Sequence, residues 1–116
     1  MNSFENLIVW QKAHIFVIEI YRITKDFPKE ESVGIISQIR RSTFSICVNI
    51  AEGHKKTRKD FARFLDIAQG SLEETKYYLI LAKDLHYYRE EKYLELKFQS
   101  EEIGKLLTGL IRSLRS

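Results

Sequence analysis

Five cations crowd into the ten residues from His54 to Arg63, "HKKTRKDFAR": Lys55, Lys56, Arg58, Lys59 and Arg63, against the single acid Asp60. Such a cluster neutralises phosphates without reading base sequence, which makes it a candidate nucleic-acid site. Arg40 and Arg41, further back, extend the candidate set. The plainer reading of the same residues is a solvated basic loop. Residues 90 to 102, "EEKYLELKFQSEE", hold five Glu against two Lys, so a basic end and an acidic end are expected on the folded surface.

Catalytic chemistry has little to work with. His14, His54 and His86 are the only histidines, each on a different segment or junction. No cysteine pair, HExxH or aspartate-rich loop offers metal-ligand spacing, so no metal and no cofactor are expected. Glu73 and Glu74 are adjacent and leave a helix in different directions, unlike a paired acid and base. Cys47, the one cysteine, reads as a small buried hydrophobe rather than a nucleophile. A non-enzyme is expected.

Four long helices must position these groups. The chain has 116 residues with five Gly and one Pro, too few punctuators for a multi-stranded β protein. A first segment runs from about Leu7 to Phe27, with Leu7, Trp10, His14, Val17, Tyr21 and Thr24 on one stripe. Ala13, Phe16, Ile20, Ile23 and Phe27 lie on the adjoining one. Pro28 closes it. A second runs from about Lys29 to Glu52 and stops at Gly53, read as a left-handed C-terminal residue. Thr57 and Asp60 then form a capping box for a third, whose seam is Phe61, Leu65, Ala68, Leu72, Thr75, Leu79 and Ala82. A fourth starts near Glu90 and carries Leu96, Ser100, Ile103, Leu107, Leu110 and Leu114. Matched lengths of roughly 20 residues or more with short connections predict an all-α, antiparallel up-down-up-down four-helix bundle, one domain over 1–116.

Around the second helix, at ~100° per residue, Gln38, Arg41, Ser42, Ser45, Asn49 and Glu52 form one polar stripe. This is either its solvent face or a groove that meets a polar partner. Ile35, Ile36, Ile39, Thr43, Ile46 and Ile50 form the apolar face, which Phe44, Val48 and Ala51 continue. Some 200° of circumference leaves water, where a bundle helix needs little more than about 100°. Self-association accounts for the surplus; a thick core with some exposed aliphatics is the other reading. Tyr77, Tyr78, Tyr87 and Tyr88 are expected to pack rather than stack on bases. No membrane-length apolar run is present, and "MNSFENLIVWQ" lacks a basic region followed by an apolar run. A cytoplasmic protein without a membrane partner is expected.

"QIRRSTFSICVNIAEG" followed by "DFARFLDIAQGSLEE" resembles the four-helix-bundle proteins encoded in intervening sequences of bacterial 23S ribosomal RNA genes. "LIVWQKA", "FPKEE" and "EIGKLLTGLI" extend the resemblance over nearly the whole chain. Its most specific positions are Gln38, Ile39, Arg40, Arg41, Ser45, Asn49, Ile50, Ala51, Glu52 and Gly53, then Gly70, Ser71 and Glu74. The resemblance implies a ring-shaped homo-oligomer, usually a pentamer. It also implies kinship with the accessory variability proteins of diversity-generating retroelements, which bind nucleic acid and a reverse transcriptase. RNA or DNA, a second copy, and a reverse transcriptase or other protein are thus the expected partners. Where that family has Gly and a small polar residue before the last helix, this chain has His86 and Arg89. In such a ring, Gly70 and Ser71 are expected to allow close helix approach. Two functions remain open: a nucleic-acid-binding oligomer, and a scaffold whose partner docks on the polar stripe.

Overall fold

The Thr57 hydroxyl accepts the backbone N–H of Asp60 and fixes the start of the longest helix, as its type and spacing require. In the computed structural model, which describes residues 3–116, four α-helices account for most of the chain: α1 (Ile8–Thr24), α2 (Ile35–His54), α3 (Arg58–Asp84) and α4 (Glu90–Arg115). Single 3-10 turns at Phe4–Asn6 and Lys29–Glu31 precede α1 and α2. Met1 and Asn2, the first residues of the expected domain and of the N-terminal stretch, lie outside the described residues.

Hydrogen bonds and ion pairs give the helix directions. Ser42 and Ser45 of α2 meet Thr75 and Ser71 of α3, so position falls along α3 as it rises along α2, and Arg41 meets Glu74 beside them. Gln69 and Asp66 of α3 meet Thr108 and Arg115 of α4, while Lys12 and Glu19 of α1 meet Glu102 and Lys92 of α4. Each pair is antiparallel. Sequence neighbours pack side by side and α4 closes on α1, with the diagonal pairs apart. The bundle measures 43 × 23 × 22 Å, about the length of its longest helix at 1.5 Å per residue.

The α3 seam of Phe61, Leu65, Ala68, Leu72, Thr75, Leu79 and Ala82 is buried throughout. On α4 the core takes Tyr93, Leu96, Ser100, Ile103, Leu107 and Ile111, with Leu110 and Leu114 packed at its margin. On α1 the core is Val9, Ala13, Phe16, Ile20 and Thr24. His14 and Tyr21 from the other stripe are exposed.

Three boundaries differ from expectation, the first being the end of α1 at Thr24, three residues before Phe27, where the backbone tightens to three-residue bonds. The second helix starts at Ile35, not Lys29, because the 3-10 turn and Gly34, at φ −103° and ψ −118°, intervene. Gly53 does not terminate α2 in a left-handed conformation; no glycine has positive φ among the described residues. It is buried inside the last turn, where a Cβ would lie 2.6 Å from Phe64 Cβ and 2.9 Å from Phe61 Cδ1. Close approach of α3 is what demands glycine there. Among the described residues the one left-handed residue is His86, at φ 62°, in the turn between α3 and α4. It occupies the position where the family resemblance puts glycine.

Candidate nucleic-acid interface

The α2–α3 corner sits at one end of the bundle, beside the last turns of α4. Lys55, Lys56, Arg58, Lys59 and Arg63 are all exposed there. Arg58 donates to the Ser113 carbonyl of α4 at 3.0 Å, which ties the corner to the neighbouring helix end. Arg63 lies 4.0 Å from Asp60. Lys55, Lys56 and Lys59 make no ion pair with any described residue, so three ammonium groups within five residues are open to an outside anion. Arg115, which the sequence reading did not include, reaches the same end and pairs with Asp66. Only the antiparallel return of α4 brings it there, and no local spacing signals that.

Arg40 and Arg41 are held elsewhere. Arg40 lies toward the opposite end of α2, where its Nε donates to Thr24 Oγ1 at 2.9 Å and its guanidinium stacks 4.5 Å from the Tyr21 ring centroid. Arg41 is ion-paired with Glu74. Both cations join helices, and the structure does not bring them to the corner.

Part of the polar stripe of α2, namely Arg41, Ser42 and Ser45, is a helix–helix seam. Ser42 Oγ meets Thr75 Oγ1 at 2.8 Å, with both residues fully buried. One turn on, Ser71 Oγ donates to Ser45 Oγ at 3.0 Å. At the margin Arg41 bridges Gln38 and Glu74, and the Tyr78 hydroxyl donates to Glu74 at 3.1 Å. Burial and this bond both push the Tyr78 hydroxyl above its ordinary value. Asn49 donates to the Ser45 carbonyl and hydroxyl of its own helix, at 2.8 and 3.1 Å. Glu52 is exposed. Hydroxyls of small volume let α2 and α3 approach closely while every buried polar side-chain atom among the described residues has a partner. Thr75 and Tyr78 complete this seam, although spacing marked them only as packing residues.

Gly70 is exposed and a Cβ there would meet nothing within 4 Å, so it serves no close approach inside the protomer. Burial pushes the Cys47 thiol up to about 12, far from a thiolate at neutral pH. Among the described residues no group of three His, Cys, Asp or Glu is placed to hold a metal ion. Also among them, no helix is long and apolar enough to cross a membrane.

A helical bundle of four antiparallel neighbours, sealed by a serine–threonine seam and ending in a basic corner, defines the class. The family model described as 23S rRNA-intervening sequence protein matches residues 5–109. This chain belongs to that family. A solved structure from Bacteroides thetaiotaomicron, a protein with unknown function from the S23 ribosomal protein family, is 34% identical to it. The match covers 90% of this chain and 96% of that one, with a TM-score of 0.83. No curated protein matches the chain.

Proposed function

We propose that this protein is a non-enzymatic, cytoplasmic, oligomeric bundle that binds nucleic acid, structured RNA or DNA, through phosphates at the α2–α3 corner. The observation that carries the reading is the unpaired state of Lys55, Lys56 and Lys59 on a corner whose fourth cation, Arg58, is anchored to α4. Their charge is not spent on any described residue of the protomer. The family takes its description from intervening sequences of 23S rRNA, which makes ribosomal RNA the first ligand to try.

Self-association is part of the proposal, with a homopentamer as the form that the family resemblance implies. Ile15 of α1 is 60% exposed, and Phe44 and Val48 of α2 are more than 40% exposed. A neighbouring copy would bury this surplus, and the outward Gly70 would let its backbone come close. A ring would repeat the basic corner in one orientation, multiplying weak phosphate contacts through avidity. A scaffold that docks a reverse transcriptase or another protein on the α2 stripe has less to offer, because Arg41, Ser42 and Ser45 are already bonded to α3.

Affinity for a 23S rRNA fragment, measured by fluorescence anisotropy across a salt series, tests the proposal. Phosphate binding gives a steep negative slope of log affinity on log salt, with weak sequence preference. Flat salt dependence would support the scaffold instead.

A further inference from the structure

The outward face of α4 is divided by charge and by bulk. At ~100° per residue, Glu91, Leu94, Phe98 and Glu101 share one arc with Lys105, Gly109 and Arg112 farther along the same helix. The first half is acidic and carries protruding apolar side chains, Leu94 at 51% and Phe98 at 69% exposure. The second half is basic and bare. A Cβ on Gly109 would meet nothing within 4 Å, and one on Gly104 would reach only Leu72 and Lys76. Between α3 and α4, these missing side chains open a groove of about 840 Å³ that Leu72, Gly104, Lys105, Gly109 and Arg112 help to line. Glu91, Glu101, Lys105 and Arg112 are exposed and make no ion pair with any described residue.

We infer that this face binds a second copy of itself, α4 against α4 and antiparallel, about a two-fold axis near Ile103. A patch meets itself only through such an axis. The arrangement sets Phe98 over Gly109 of the other copy and Glu101 opposite its Lys105. Glu91 then comes within reach of its Arg112. Parallel packing would place Glu on Glu and bulk on bulk, so charge and shape select one orientation. Ile80 of α3, also exposed and beside Lys97 and Glu101 of α4, enlarges the contact. The contact lies on a different helix from the exposed α1–α2 surface and does not depend on nucleic-acid binding. It would join two copies, or two rings, back to back.

Two charge variants test the contact. Lys105→Glu with Arg112→Glu makes the face acidic throughout, and Glu91→Lys with Glu101→Lys makes it basic throughout. By light scattering, each variant alone is expected to show a particle mass about half that of the wild type, with unchanged helicity. Mixing the two is expected to restore the wild-type mass. A mixture of Phe98→Cys and Gly109→Cys chains should form an inter-chain disulfide that neither forms alone, because like positions lie about 16 Å apart along the helices. Variants that keep the wild-type mass would overturn the inference, as would a mixture that stays split.

Discussion

The two ends of the bundle use their polar groups in opposite ways. At the end formed by the α1–α2 and α3–α4 connections, Phe27, Ile35 and Ala82 make a small second core against Tyr87 and Tyr88. The Tyr88 hydroxyl donates to the Leu79 carbonyl at 2.6 Å, and Tyr87 donates to Glu31. Arg40 is fixed on Thr24 and Tyr21, and Lys92 on Glu19 and Glu95. Lys25 and Lys29 stand beside Asp26 and Glu30 in sequence, so charge there is mixed. At the other end Lys55, Lys56 and Lys59 make no ion pair with any described residue. One end spends its hydrogen bonds on holding the helices; the other leaves a cluster of lysines without an ion pair among the described residues. Clustering together with the lack of a partner, rather than charge alone, sets Lys55, Lys56 and Lys59 apart from a structural arginine such as Arg40.

The strongest way to break this contrast is at Gly53, the frame of the basic corner. Gly53→Ala forces a methyl against Phe64 and Phe61 and should cost about 1 to 3 kcal/mol in denaturant melts, with Gly53→Val worse. If Ala is tolerated without loss, the corner is not held by this close approach.

At the tyrosine end the probe is alkaline pH. Burial pushes the Tyr88 hydroxyl far above its ordinary 10.0, and the bond to Glu31 raises that of Tyr87. Above pH 10 the unfolded chain releases these protons first, so the folded state binds more of them. Stability is therefore full below pH 10 and falls as pH climbs beyond it. Tyr88→Phe should flatten that decline, while at neutral pH it loses about 1 kcal/mol for the missing hydrogen bond. An unchanged alkaline slope would remove Tyr88 from the account.

A smaller effect is expected at His86. Its left-handed backbone should accept Gly with little change and resist Val by about 1 to 2 kcal/mol, read as a shift in the denaturant midpoint.

Much of the fold was legible in the sequence. The three-and-four spacing of α3 named buried residues because that helix has one apolar seam. On α1 two adjoining stripes are both apolar, so periodicity alone does not say which faces the core; Val9, which belongs to neither stripe, is buried. Gly53 was legible as a special position but not for its reason, since a close approach depends on where Phe61 and Phe64 of another helix land. The candidate site divided in the same way. The Lys55–Lys59 cluster is local and readable, whereas the fates of Arg40 and Arg41 were set by Thr24, Tyr21 and Glu74, which only tertiary packing brings near. Ser45 and Asn49 likewise stood out by type, but the hydroxyl seam to Ser71 and Thr75 appears only once two helices are laid antiparallel.

The central claim is that the unpaired lysines bind phosphate and carry no fold. Lys55→Glu, Lys56→Glu and Lys59→Glu combined should change stability by no more than about 0.5 kcal/mol and leave helicity and particle mass intact. The direct measurement is gel retardation of a 23S rRNA fragment at low salt, comparing wild type, this triple variant and the control Lys25→Glu with Lys29→Glu at the opposite end. The account predicts retardation by wild type and control and none by the triple variant. No retardation by the wild type, or equal retardation by the triple variant, would contradict it.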